Sequence, residues 1–218
     1  MEMIDMSKVL IKVCGLTDLD EARDIARLGV NAIGLVFARG PRQVGLDKAR
    51  EIISGLPPFV QSVGVFVDED LDHIRHAIDY CGLDLVQLHG KERPEMCLAL
   101  APRVIKAWRI SSREDIYDLL PYKEAVRAFL LDAWSPHAHG GTGRTFDWSI
   151  ALEAKEMLVR PIILAGGLKP ENCAGAIGFV RPWGVDVSSG VELSPGRKDI
   201  RRVKWFVEEV EAISNVKI

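Results

Sequence analysis

The sequence predicts an α/β fold of the (β/α)8 type, a single TIM barrel, and three observations carry that expectation. Short Val/Ile/Leu-rich runs that do not alternate polar with apolar recur at intervals of about 20 to 30 residues, as strands covered on both faces require. Amphipathic segments with helix punctuation lie between them, and the alternation repeats eightfold within 218 residues, a little under the roughly 250 usual for such a barrel. Near the C-terminus, Ala165-Gly166-Gly167-Leu168 and Ser188-Ser189-Gly190-Val191 each close a run rich in β-branched residues, one strand-and-helix period apart. That is where such a barrel carries a phosphate site, in the loops after strands 7 and 8.

The first run, Val9 to Cys14, precedes Asp18-Leu19-Asp20-Glu21, whose spacing fits a capping box opening a helix through Leu28 that Gly29 stops. A second run, Ala32 to Phe37, leads to a helical stretch from about Leu46 to Ser54, and a third, Ser62 to Val67, to one from Leu71 to Tyr80. The fourth run is Leu85 to Leu88, followed by Pro94 to Leu100; the fifth is Val104 to Ala107, followed by Arg113 to Leu120. Ala128 to Asp132 forms the sixth, with Trp148 to Leu158 after it. Pro161 to Ala165 and Gly184 to Val187 complete the strands, with helices over Pro170 to Ile177 and Asp199 to Ile213. A doubly wound open sheet would use similar elements, but its Gly-x-Gly-x-x-Gly fingerprint does not follow the first strand. Without a linker or low-complexity tract, residues 1–218 are expected to form one domain.

Composition narrows the partners. A net charge of −3 with Lys/Arg interleaved among Asp/Glu argues against nucleic acid or a membrane surface, since both call for concentrated positive charge. Cys14, Cys81, Cys97 and Cys173 are scattered without a Cys-x-x-Cys pair, so a reducing cytoplasmic setting is expected rather than a disulfide framework or zinc knuckle. The leader Met1-Glu2-Met3-Ile4-Asp5-Met6 carries acids where a signal peptide has bases, and no apolar run approaches the roughly 18 residues of a membrane span. The expected partner is a small molecule, and the chain is expected to act as a monomer or homodimer.

Glycine lets bare backbone N–H groups approach an anion, so Gly166, Gly167, Ser188, Ser189 and Gly190 are the candidate phosphate cradle. Lys169-Pro170-Glu171-Asn172 reads as a helix start whose positive dipole end faces it. The polar residues at the other strand ends are Cys14, Gln87, His89, Lys106, Arg109, Asp132 and Asp186. Cys14 reads either as a small core cysteine or as a thiol facing the mouth, where an electropositive pocket would lower its ordinary value of about 8.5 enough for a base. Asp132 reads either as a turn cap or, with burial raising its pKa, as an acid. No metal-ligand cluster emerges, because His137-x-His139 lies in a Gly-rich loop without a third partner. A base and an acid facing a held phosphate describe proton shuffling on a phosphorylated sugar.

Ile11-Lys12-Val13-Cys14-Gly15-Leu16-Thr17, Gly64-Val65-Phe66-Val67, Val86-Gln87-Leu88-His89-Gly90, Gly140-Gly141-Thr142-Gly143, Ala165-Gly166-Gly167-Leu168 and Asp186-Val187-Ser188-Ser189-Gly190-Val191-Glu192 together resemble the phosphoribosylanthranilate isomerase family of tryptophan biosynthesis. Their order and spacing hold from Val9 to about Phe206. The resemblance implies an Amadori rearrangement of an aminoaldose phosphate to an aminoketose, with no metal and no cofactor. It implies Asp132 as general acid and Cys14 as general base. It further implies that Arg42, in Gly40-Pro41-Arg42, holds the anthranilate carboxylate, although sequence alone reads this residue as a surface arginine. His89 and Asp186 match pocket positions that touch the substrate's amino group or orient water. The Gly140 to Thr145 loop is expected to close over the substrate. Family members often carry Ser-Pro-Arg where this chain has Gly40-Pro41-Arg42, which removes a hydroxyl.

Two alternatives remain at this point. The related aminoaldose isomerase of histidine biosynthesis resembles this class but carries an aspartate at the first strand end, where this chain has Cys14. A non-catalytic barrel binding the phosphate of a flavin would use the same double loop.

Overall fold

A computed structural model of the protein describes residues 8–133 and 148–214. Within them, eight parallel strands close into one barrel in chain order. They are β1 (Leu10–Cys14), β2 (Ala32–Val36), β3 (Gln61–Phe66), β4 (Leu85–Leu88), β5 (Val104–Ile110), β6 (Ala128–Ala133), β7 (Ile162–Ala165) and β8 (Gly184–Val187). The ring shuts where β8 pairs with β1, setting Ile11 against Val185 and Lys12 against Asp186. Helices α1 (Leu19–Arg27), α2 (Leu46–Ser54), α3 (Leu71–Cys81), α4 (Pro94–Ala99), α5 (Asp115–Leu119), α6 (Trp148–Leu158), α7 (Pro170–Val180) and α8 (Ile200–Ser214) follow the strands in turn. The predicted barrel is the observed one.

Period-two alternation along each strand divides the core in two. Val63, Leu85, Ile105, Ala107, Ala128, Leu130 and Ala165 fill the barrel, while Ile11, Val13, Val86, Phe129, Leu131, Val185 and their neighbours pack outward beneath the helices. Removing such aliphatic surface from water is worth about 1.5 to 3 kcal/mol for each fully buried Val, Leu or Ile, which is why the runs read as apolar on both faces.

Several boundaries differ for identifiable reasons. The fifth strand runs on past Ala107 to Ile110, because Trp108, Arg109 and Ile110 stay paired with Leu131, Asp132 and Ala133. The fifth helix is shorter than expected: Asp115 caps the turn before it by accepting from the Ser111 and Ser112 N–H groups at 2.7 and 2.8 Å. Pro121 then diverts the chain into a 3-10 turn over Leu120–Tyr122. The seventh helix continues through Gly178 to Val180 and ends at Arg181 in a left-handed conformation, φ 47°. At α1 only half of the expected capping box forms. Asp18 accepts from the Glu21 N–H at 3.0 Å, but the Glu21 carboxylate turns away to accept from Lys198 N–H at 2.7 Å. A short antiparallel hairpin, β9 (Glu192–Ser194) and β10 (Arg197–Lys198), was not expected; the Pro195-Gly196 pair turns it, with Gly196 at φ 83°.

Candidate active site

At the C-terminal end of the barrel the strand ends surround a cavity of about 440 Å³, lined by Cys14, Arg42, Gln87, His89, Arg109, Asp132, Asp186, Gly166, Gly167, Ser188 and Ser189 among others. Residues far apart in the chain converge because each inward position recurs every second residue. Lys12 and Cys14 share the inner face of β1, Gln87 and His89 that of β4, Arg109 that of β5, and Asp132 that of β6.

One corner holds the thiol. Cys14 is 8% exposed, so its sulfur is reached only from the cavity. Directly beneath it, Lys12 Nζ bonds Asp186 Oδ1 at 2.9 Å, with both side chains under 10% exposed. Burial pushes the Cys14 thiol up, and the nearby Lys12 ammonium pulls it back only in part. Burial likewise raises the Asp186 carboxyl, against the opposing pull of Lys12. For Lys12, burial works against the charge, yet Asp186 and Cys14 outweigh it and the ammonium holds its proton more firmly than usual. The pocket therefore favours a neutral thiol, contrary to the lowering expected from sequence.

The opposite corner holds the carboxylic acid. Asp132 is the penultimate residue of β6 with its side chain 27% exposed, and its Oδ2 lies 3.3 Å from His89 Nε2, an ion-pair distance outside hydrogen-bond alignment. Gln87 Nε2 meets His89 Nδ1 at 3.3 Å and orients the ring. Gln87 Oε1 and His89 Nε2 are buried polar atoms without a hydrogen-bond partner among the described residues. Arg109, on the neighbouring strand in register with Asp132, brings a positive charge to the same wall.

Between the corners lie the two glycine loops. Gly166 and Gly167 adopt φ 81° and 66°, a left-handed stretch that turns their backbone toward the cavity and suits no β-carbon well. Asn172 pins this turn, accepting from Lys169 N–H at 2.9 Å and donating to the Gly167 carbonyl at 3.0 Å, and α7 starts at Pro170. Gly190 sits behind the cavity rather than on its wall: a Cβ there would collide with the Leu168 carbonyl, so its bare backbone is what lets the two loops meet. Ser188 closes the group by donating to the Cys14 carbonyl at 3.1 Å.

Arg42 reaches this floor from the loop after β2. Gly15, at φ 83°, makes room for its stem, since a Cβ there would lie 2.5 Å from Arg42 Cδ. Sequence alone reads Arg42 as a surface arginine, but its Nε and Nη2 donate to Glu192 Oε1 and Oε2 at 2.8 and 2.6 Å. Of the five N–H donors of a guanidinium, these two bonds leave three for a ligand. Glu192 also accepts from Lys198 Nζ at 2.7 Å, and Lys198 lies 3.4 Å from the Ser188 carbonyl. Burial opposes ionisation of Glu192, but Arg42 and Lys198 overcome it and hold its carboxyl down at about 2.

Lys106 does not join the site. Its neighbours Ile105, Ala107 and Arg109 point inward, so Lys106 points outward into the helix layer. There it is fully buried, bonds Glu92 Oε2 at 2.7 Å and the Gly90 carbonyl at 2.7 Å, and lies over the rings of Trp108 and Tyr122. Glu92 in turn accepts from Gly90 N–H at 3.0 Å, so the pair clamps the loop that follows His89. His137, His139 and the loop from Gly140 to Thr145 lie outside the described residues. Among the described residues, the cluster spaced to hold a metal is Glu69, Asp70 and His73 at the start of α3; its last two members are exposed and none of the three lines the cavity. Sequence reasoning passed over Lys12, Glu192 and Lys198. A lysine two residues before Cys14 in an otherwise apolar strand was the available signal for the first.

The family model for N-(5'-phosphoribosyl)anthranilate (PRA) isomerase matches residues 11–209. An N-(5'-phosphoribosyl)anthranilate isomerase from Geobacter sp. (strain M21) is 51% identical over 205 residues, covering 94% of this chain and 98% of its own length. One from Moorella thermoacetica is 48% identical over 202 residues, covering 93% and 89%. The crystal structure of phosphoribosyl anthranilate isomerase from Thermotoga maritima is similar with a TM-score of 0.86 at 43% identity, over 94% of this chain and 99% of that one. A phosphoribosyl anthranilate isomerase in complex with reduced 1-(o-carboxyphenylamino)-1-deoxyribulose 5-phosphate gives 0.84 at 41% identity, with coverage of 94% and 99%.

Proposed function

The chain belongs to the N-(5'-phosphoribosyl)anthranilate isomerase family, and from that premise we propose how its own residues perform the reaction. The protein converts N-(5-phosphoribosyl)anthranilate into 1-(2-carboxyphenylamino)-1-deoxyribulose 5-phosphate, a step of tryptophan biosynthesis. We propose further that residues 1–218 act as one isomerase domain in the cytoplasm, alone or as a homodimer; every group named below comes from a single chain. No helix among the described residues is long and apolar enough to cross a membrane.

The phosphate docks on the backbone of Gly166, Gly167, Ser188 and Ser189, near the start of α7, with Gly190 keeping the two loops in contact. Arg42, steadied by Glu192, takes the anthranilate carboxylate on its remaining donors. Asp132, next to His89, gives a proton to the furanose ring oxygen; the C1'–O bond breaks and the nitrogen lone pair forms an iminium. That iminium makes the C2' hydrogen acidic, and the Cys14 thiolate removes it to give an enaminol. The enaminol becomes the ketone by gaining a proton at C1' and losing one from the C2' hydroxyl. The enzyme is restored once Cys14 has shed its proton and Asp132 has regained one. His89 and Asp186 meet the amino group and hydroxyls of the sugar between these two corners.

The observation that carries this reading is the convergence of Cys14 and Asp132 on one cavity that the two glycine loops also line. An assay with freshly generated phosphoribosylanthranilate, followed by loss of its fluorescence, tests it. Cys14→Ala and Asp132→Asn should each lower kcat by about 10² to 10⁴, with smaller changes in KM. Near-normal turnover in either variant removes that residue from its role. Parallel assays with the histidine-pathway aminoaldose separate the two isomerase chemistries.

A further inference from the structure

We propose, resting on the reading of Cys14 as the group that removes the proton, that Lys12 is its positioning residue: the buried ammonium shared between Cys14 and Asp186 lets the sulfur carry negative charge inside the barrel. Lys12 is 4% exposed and contributes nothing to the cavity wall, so it acts only through its neighbours. Its position two residues before Cys14 sets both side chains on the inner face of β1. Nζ bonds Asp186 Oδ1 at 2.9 Å, and its positive charge acts on the Cys14 sulfur on the same inner face. A Cβ on Gly34 of the adjacent strand would lie 2.7 Å from Cys14 Sγ and 3.1 Å from Lys12 Nζ, so both tips crowd the same patch of bare backbone, which no larger residue would leave open.

Below the polar strand ends the barrel interior is aliphatic and alanine-rich, which makes a charged lysine there costly unless it is paired. The charged groups facing the sulfur are Lys12 from β1, Asp186 from β8, Lys198 from β10 and Arg42 from the loop after β2. Beyond Asp186 stand His89 and Asp132. Lys198 and Arg42 are both bound to Glu192, at 2.7 Å and at 2.8 and 2.6 Å, which leaves Lys12 as the cation with the strongest pull on the thiol. At rest the three groups sum to zero as ammonium, carboxylate and thiol. Asp186 lines the cavity, so a substrate hydroxyl or amine that donates to it loosens its hold on Lys12. The ammonium is then available to the sulfur, which releases its proton to water in the cavity and accepts the substrate's C2' proton in its place. Lysine and carboxylate keep their protonation states throughout.

The test reads Cys14 itself. The rate at which iodoacetamide alkylates Cys14 is followed against pH by peptide mass in wild type, Lys12→Met, Lys12→Arg and Lys12→Met/Asp186→Asn. The double variant leaves no uncompensated buried charge, and thermal unfolding confirms that it folds. Cys81, Cys97 and Cys173 are buried outside the cavity, so they do not obscure the signal. Only the thiolate alkylates, so both Met variants should react at least about tenfold more slowly near neutral pH, with the profile displaced upward and kcat reduced far more than KM is raised. Lys12→Arg, which keeps the charge, should recover part of the rate. A folded double variant with the wild-type alkylation profile overturns the proposal whatever its turnover, as does an Arg variant no faster than Met. Normal turnover by Cys14→Ala would instead remove the role of Cys14 in the reaction, and the alkylation profile would still report whether Lys12 governs the sulfur.

Discussion

Replacing Glu192 by Gln keeps the shape of the side chain and removes its charge, which isolates the electrostatic tie beneath Arg42. Its carboxyl is held at about 2 against an ordinary value of 4.5. At about 1.4 kcal/mol per pH unit that span is worth about 3 to 4 kcal/mol. Arg42 keeps a 28% exposed side chain, so solvent screens part of this, and the expected loss at neutral pH is about 2 to 3 kcal/mol. For a chain of this length the melting temperature should fall by roughly 4 to 12 °C. The sign with pH is fixed by the depressed pKa: the contribution is complete above about 4.5 and disappears as pH falls toward about 2. Urea unfolding of wild type and Glu192→Gln across that range should therefore give curves that differ most near neutrality and converge in acid. Loss of the tie also frees the guanidinium, so KM for phosphoribosylanthranilate should rise while kcat changes less. A stability difference under about 0.5 kcal/mol at neutral pH, or one undiminished in acid, refutes the assignment of Glu192 as the anchor of Arg42.

Gly190→Ala puts a methyl group into the Leu168 carbonyl and forces the two loops apart. Inhibition by inorganic phosphate should weaken at least about tenfold, near 1.4 kcal/mol, and an unchanged inhibition constant would show that Gly190 does not shape the cradle. Lys106→Met strands the buried Glu92 carboxylate and should cost about 3 to 5 kcal/mol in urea unfolding. Because Lys106 points away from the cavity, the folded variant should keep kcat within about an order of magnitude; a collapse like that expected for Asp132→Asn would return Lys106 to the chemistry.

The barrel was readable because it rests on local signals. A strand buried on both faces must be apolar throughout, and glycine, proline and capping residues mark where helices stop and start. The hairpin at Glu192–Ser194 and Arg197–Lys198 escaped because strands of three and two residues have no room for a period, and only Pro195-Gly196 marked the turn. The cavity lining was readable at positions where a polar residue stands at or next to the end of an apolar run, such as Cys14, Asp132 and Asp186. The same criterion wrongly admitted Lys106, since it ignores which face a residue occupies. Counting outward and inward positions along Ile105, Lys106, Ala107 and Trp108 excludes it.

What sequence cannot supply is pairing across the ring. Lys12 and Asp186 are 174 positions apart, and Arg42 and Glu192 are 150 apart. Both pairs form only because β8 closes against β1, which sets Lys12 beside Asp186 and carries the chain on to Glu192 beneath the loop after β2. Barrel closure thus does two things with one set of hydrogen bonds: it removes the open edges of the sheet and brings opposite charges to the seam between the first and last strands. Charges buried without partners would destabilise the fold, so the seam can hold Lys12 and Lys198 inside only where Asp186 and Glu192 arrive with it. The two glycine loops, the thiol and the arginine lie beside that same seam. A variant that loosens β8 from β1 should therefore lose phosphate binding, thiol reactivity and carboxylate binding together, while the acid corner formed by His89 and Asp132 on the far strands keeps its geometry.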